Sequence, residues 1–148
     1  MIELKNIITT DPLYEQEREL RNEILLRPLG IPDSTWEMYD DKAWHFVVVE
    51  NKKVVGCAVL VPLENEQFQA RLIQMAVDTA MQARGVGKLL INGIIKFAKR
   101  QGLTEITCHS RAYANNFYKR LGFEIYEESF EEVGIPHNHM KLKIEAVQ

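Results

Sequence analysis

The stretch that most narrows the possible folds is QARGVGKLL, residues 82–90, where two glycines and two cations stand between an apolar run and a helical pattern. The run before it, QFQARLIQMAVD, reads as a strand near 67–78. After it, apolar residues at 86, 89, 90, 94, 97 and 98 recur at helical spacing, Lys88, Lys96, Lys99 and Arg100 take the other face, and Gly102 is placed to end the helix. Bare glycines at such a turn let backbone N–H groups approach an anion, and the helix N-terminus favours negative charge. Two known phosphate cradles do not fit. A P-loop aligned on Gly87 and Lys88 has Gln82 for its first glycine and Leu89 for its Ser/Thr, and a GxGxxG fingerprint begun at Gly85 meets Leu90 at its third glycine. What survives is Gln82-x-x-Gly85-x-Gly87, either a pyrophosphate cradle or a turn whose glycines only permit unusual dihedrals.

The remaining elements follow from periodicity. Residues 2–8 read as a strand, and DPLYEQERELRNEILLR as a helix with Asp11 as N-cap and Pro12 at its first position, ending near Arg27 and Pro28. AWHFVVVE and VVGCAVLVPL, joined by NKK, read as an antiparallel hairpin. LTEITCH is strand-like, AYANNFYKRLG helical, and FEIYEESF and HMKLKIEA read as two final strands. The pattern β-α-β-β-β-α-β-α-β-β predicts an α/β (α+β) fold, a mixed sheet covered by helices. With 148 residues, 46% of them hydrophobic, and no repeat or linker, a single domain over 1–148 is expected. A net charge of −3 gives no overall footprint for nucleic acid or an anionic membrane. Cys57 and Cys108, both in apolar strand-like runs, suit free thiols in a reducing, cytoplasmic setting. Neither a signal peptide nor a membrane span is expected, since MIELKNIITT lacks a basic start followed by a long apolar stretch.

MAVDTAMQARGVGKLL resembles the acyl-CoA-binding segment of the GNAT superfamily N-acetyltransferases, and FYKRLGF resembles their second signature, in the same order. The resemblance implies the GNAT fold, a central mixed but mostly antiparallel sheet flanked by helices, with parallel fourth and fifth strands that splay apart. It further implies acetyl-CoA as cosubstrate and no metal. The amides of Gln82, Ala83, Arg84, Gly85, Val86, Gly87 and Lys88 would hold the pyrophosphate, and the backbone of Met75, Ala76 and Val77 would pair with the pantetheine arm. Tyr118 stands where the superfamily carries the acid that protonates the departing thiolate. It also lies on an apolar stripe with Ala114, Phe117 and Leu121, so a core role is the alternative. Many members have asparagine where this chain has Arg111, which moves a coenzyme contact to Asn115 or Asn116.

ELRNEILLRP, CHSRAYANNFYKRLGF and GIPHNHM resemble the glyphosate N-acetyltransferase group within that superfamily. This implies that Arg21 and Arg111 grip acidic groups of the acceptor and that His137 is the base. The group's clamp arginine on the fourth strand is replaced by Ile73, and Arg71 on the same strand face is the candidate substitute. The residues themselves agree in part. A last strand antiparallel to the fifth places His137 beside Arg111; imidazole can serve as a base near neutral pH, and a guanidinium holds a carboxylate by a bidentate fork. A histidine at a strand entry and a snorkelling Arg21 are the alternatives. His139 is given no role, and two histidines at i and i+2 are weak grounds for zinc. The expected function is acetyl transfer from acetyl-CoA to the amine of a small, acidic, amino acid-like metabolite by direct attack. Protein lysine or N-terminal acetylation, and a CoA-binding sensor with little turnover, are the alternatives. Neither nucleic acid nor membrane is an expected partner, and a homodimer is left open.

Overall fold

The computed structural model describes residues 2–64 and 68–145. In chain order it has β1 (Ile2–Ile7), α1 (Leu13–Arg21), β2 (Trp44–Glu50), β3 (Lys53–Pro62), β4 (Gln69–Val77), α2 (Val86–Gln101), β5 (Glu105–Arg111), α3 (Asn115–Arg120), β6 (Glu124–Ile125), β7 (Phe130–Glu132) and β8 (Ile135–Lys143). Gln67 and Ala146, expected in strands, lie outside the described residues. The sheet order is β1-β2-β3-β4-β5-β8-β6 with β7 also on β8. β4 and β5 run parallel and the other pairs antiparallel, as the fold expectation requires. Among the described residues no helix is long and apolar enough to cross a membrane.

Strand alternation sends side chains to two faces. On β2, Phe46 and Val48 join the core under α2, while Val47 and Val49 join Ile7, Leu20 and Cys57 under α1. Leu90, Ile91 and Ile94 seat α2, each worth on the order of 1.5–3 kcal/mol when buried. Gly102, in the left-handed region at φ 77°, ends it. The same alternation puts Ile106 and Cys108 of β5 and Met140 of β8 in the α2 core. Thr107, His109 and Arg111, with His137, His139 and Lys141, therefore share the face that carries α1.

Two irregularities shape the middle of the sheet. Between Cys57↔Ala76 and Val59↔Ile73, β4 takes one more residue than β3, a bulge marked by Gln74 at φ 54°. Pairing of β4 with β5 stops at Leu72↔Cys108, so 73–77 and 109–111 diverge and leave ladder groups on their facing edges without a strand partner.

The last strands differ from the sequence expectation. FEIYEESF is not one strand: Ile125 pairs with Met140 and Phe130 with His137, so residues 126–129 span only 138–139 of β8. These surplus residues divide it into β6 and β7. β8 starts at Ile135, earlier than expected. Pro136 opposes Glu131 on β7 and lies beyond the last β5 partner, so its missing N–H costs no bond to β5. The first helix also differs. Asp11 Oδ1 accepts from Leu13 N–H at 2.8 Å, but after Arg21 the chain widens into a π-helical turn, Asn22–Leu26, and a 3-10 turn, Arg27–Leu29.

Candidate active site

The glycine turn lies against the open end of the β4–β5 splay. Gln82, Ala83, Arg84, Gly85 and Lys88 are exposed, while Val86 is buried and anchors the start of α2. Ala83 and Gly85 both have positive φ, 65° and 82°. Within the described residues, no backbone carbonyl accepts from the amides of Gly85, Val86, Gly87 or Lys88, the orphan donors of a helix start. Gly87 has a different use. A Cβ there would stand 3.2 Å from Phe117 Cζ, so its bareness lets α2 approach α3. On β4 the side chains of Met75, Ala76 and Val77 turn into the two cores, which leaves backbone to face the splay.

α3 closes the splay on the α2 side. Tyr118 is 8% exposed and packs edge-on to Phe117 and Phe123. It is thus a core aromatic, and its hydroxyl makes no hydrogen bond within the described residues. Burial, with the neighbouring Cys108 next, pushes the phenol well above its ordinary range, so it stays protonated. Burial pushes the Cys108 thiol up to about 12. Asn115 donates from Nδ2 to Asn138 Oδ1 at 2.7 Å, and its own Oδ1 is buried without a partner.

On the α1 side, β5 and β8 bring Arg111 and His137 together as Cα partners. Arg111 is half-buried and donates one bond, from Nη1 to Tyr113 Oη at 3.2 Å, leaving most of its fork free. His137 is 4% exposed, and its Nδ1 faces the Ile135 carbonyl at 2.7 Å. That contact holds the Nδ1–H tautomer and leaves a lone pair on Nε2. Arg71 is exposed on β4 opposite Thr107, four residues before Arg111 on β5, a separation of roughly 13 Å along the strand.

The structure puts Arg21 elsewhere than the resemblance implied. It is 2% exposed and all five of its N–H donors are taken: Nε by Gln74 Oε1 (3.1 Å), Nη1 by Glu17 Oε2 (3.0 Å) and Asp40 Oδ2 (2.8 Å), Nη2 by Asp40 Oδ1 and the Trp36 carbonyl (3.1 Å each). The Tyr14 hydroxyl donates to Asp40 as well. His45 places Nδ1 2.8 Å from Glu17 and Nε2 2.8 Å from the Asp40 carbonyl. Burial pulls His45 down, but Glu17 and Asp40 together outweigh it and the net shift is upward, toward the imidazolium that satisfies both contacts. Glu17, Asp40 and His45 have a spacing that could ligate a metal, yet Arg21 already meets both carboxylates. This network clamps α1 to the β4 bulge through Gln74; it offers no free guanidinium to an acceptor.

Two residues beside His137 escaped the sequence reading. Glu132 of β7 places its carboxylate oxygens 3.6 Å from His137 Nε2 and 3.5 Å from His109 Nδ1. His109 had a usable signal, sharing strand parity with Arg111 two residues on. Glu132 had none, because the expected strand FEIYEESF ends at Phe130 and leaves it in a connection.

Residues 13–144 match the acetyltransferase (GNAT) domain family. A Bacillus subtilis (strain 168) protein with a provisional acetyltransferase designation is 34% identical over 134 residues, 88% of this chain and 89% of that protein. Among solved structures, Escherichia coli ElaA superposes with a TM-score of 0.86 at 20% identity, covering 96% of this chain and 99% of that one. An aminoglycoside 6'-N-acetyltransferase in complex with coenzyme A superposes with a TM-score of 0.81 at 15% identity, covering 99% of each. A matched domain spanning most of the chain, on a sheet that opens between β4 and β5, identifies it: the protein belongs to the GNAT acetyltransferase family and is an N-acetyltransferase.

Proposed function

We propose that this enzyme transfers an acetyl group from acetyl-CoA to the amine of a small, amino acid-like metabolite bearing one carboxylate. The observation that carries this reading is the pairing of Arg111 with His137 at the mouth of the splay, with Tyr118 across it on the other face. Residues suited to the coenzyme are present: orphan amides at Gly85–Lys88, the exposed Arg84 and Lys88, unpaired β4 edge at Met75–Val77, and the unpartnered Asn115 Oδ1. The coenzyme supplies the acyl carbon as a thioester: the ammonium's first proton goes to His137, the amine nitrogen bonds to the acyl carbon as the C–S bond breaks, Tyr118 gives its proton to sulfur, and the second nitrogen proton, released as the amide forms, returns to the Tyr118 oxygen. Arg111 holds the acceptor carboxylate through its free fork. One carboxylate fits better than two, because Arg21 is fully engaged and Ile73 is apolar. Free thiols at Cys57 and Cys108, both buried, suit a reducing cytoplasm.

Gly85→Ala tests the coenzyme side. No atom lies within 4 Å of the added Cβ, so the cost comes from φ 82° alone, about 1 kcal/mol. Relaxation of that dihedral tilts the amides it orients, and calorimetry is expected to show coenzyme A binding weakened several-fold.

Arg111→Ala tests the acceptor side. Loss of a charge-assisted contact, about 1.5–3 kcal/mol, is expected to raise KM for a carboxylate-bearing amine roughly 10-fold or more. KM for the matching amine without a carboxylate should stay as in the wild type. Equal KM values for the two amines in the wild type would dismiss an acidic acceptor.

A further inference from the structure

The face that holds His137 also holds Glu132, an acidic group with no role in the scheme above. β7 and β8 form a tight hairpin in which Glu132 opposes Ile135 across Val133 and Gly134, with φ 48° and 74°. Phe130, also on β7, stacks on His137 at 5.7 Å and on His139 at 4.3 Å, which fixes the hairpin over the imidazoles. The Glu132 carboxylate thereby meets His137 at Nε2, the nitrogen left with a lone pair by the Nδ1 contact. A gap of 3.6 Å is too long for a hydrogen bond but short for two charges. The carboxylate is 46% exposed, whereas the ring is buried, so an ammonium arriving from solvent meets the carboxylate first.

We propose that Glu132 is a positioning residue that draws the acceptor's ammonium to His137 Nε2 and stabilises the imidazolium formed there. This rests on the reading of His137 as the base. The proton leaves the acceptor nitrogen for Nε2, the positive charge passes from ammonium to imidazolium, and the freed electron pair attacks the acyl carbon. Glu132 neither gains nor loses a proton. Other groups facing His137 act on the same charge: Arg111 opposes it from β5, while His109 and His139 flank it on β5 and β8. Burial, joined by the charges of Arg71 and His139, holds His109 below the ordinary imidazole range against the upward pull of Glu132, so it stands beside Glu132 as a neutral ring and not as a rival cation. The acceptor is then a zwitterion, its carboxylate toward Arg111 and its ammonium toward Glu132. A weakly basic aryl amine, uncharged near neutral pH, gains nothing from the second contact.

The test is kcat/KM against pH for the wild type, Glu132→Gln and Glu132→Asp, with an aliphatic amino acid acceptor and a carboxylate-bearing aryl amine. Glu132→Gln is expected to lower kcat/KM about 10-fold for the aliphatic acceptor and by clearly less for the aryl amine, which loses the imidazolium's counter-charge but no ammonium contact. Its acidic limb should move to lower pH, because an imidazolium 3.6 Å from the carboxylate has lost its counter-charge. Glu132→Asp should recover part of both effects. An unmoved limb with equal losses for the two amines would overturn the proposal and leave Glu132 a structural hairpin residue. His137→Gln, run alongside, separates the two claims. If it is inactive while Glu132→Gln shows no shift, only Glu132's role fails. If it keeps wild-type turnover, His137 is not the base and both readings fall.

Discussion

Replacing Arg21 with methionine is expected to cost about 3–5 kcal/mol of stability, because it strands Glu17 and Asp40 as buried charges without their counter-ion. For a chain of this size that lowers the unfolding midpoint by about 10–15 °C. The loss should be non-additive: adding Glu17→Gln and Asp40→Asn removes the stranded charges and returns part of it. Thermal unfolding of the single and triple variants checks this. Acceptor KM, measured where the variant is folded, should change by no more than about twofold, because no Arg21 donor is free to leave the cluster. A KM increase as large as that of Arg111→Ala would mean that Arg21 reaches the acceptor.

His137→Gln is expected to lower kcat by about 10²-fold or more, the usual contribution of a positioned base. Glutamine retains a polar side chain at a buried position but has no lone pair able to take a proton near neutral pH. Coenzyme A binding should be unaffected, since the amides of the glycine turn and the β4 edge lie on other elements. A kcat loss accompanied by an equal loss of coenzyme affinity would point to damage of the splay and not to a missing base.

The helix after the glycine turn was legible because its apolar positions repeat over four turns and Gly102 supplies the stop. The adjacency of Arg111 and His137 was legible too, since an antiparallel last strand beside β5 leaves little choice of where its beginning falls. Arg21 shows where such reading stops. It shares a helical stripe with Tyr14 and Leu25, which permits an inward side chain, but its partners Asp40 and Gln74 come from a distant loop and a strand bulge that no local pattern announces. β7 was hidden for another reason. Only Phe130 of β7 falls in FEIYEESF, and the surplus residues that separate β6 from β7 are visible only against β8. The turn itself pairs Gly134 with Val133, a β-branched residue at φ 48° that turn chemistry disfavours. With that turn unread, Glu132 had no position relative to His137.

The most direct test of acetyl transfer to a small acidic amine is thiol release from acetyl-CoA by purified wild type and His137→Gln across a panel of amines. The panel pairs amino acid-like acceptors with their decarboxylated counterparts and includes a lysine peptide. The account predicts turnover by the wild type with carboxylate-bearing small amines, little with their counterparts or the peptide, and near-complete loss in His137→Gln. Turnover confined to the peptide, or turnover of small amines that survives in His137→Gln, would contradict it.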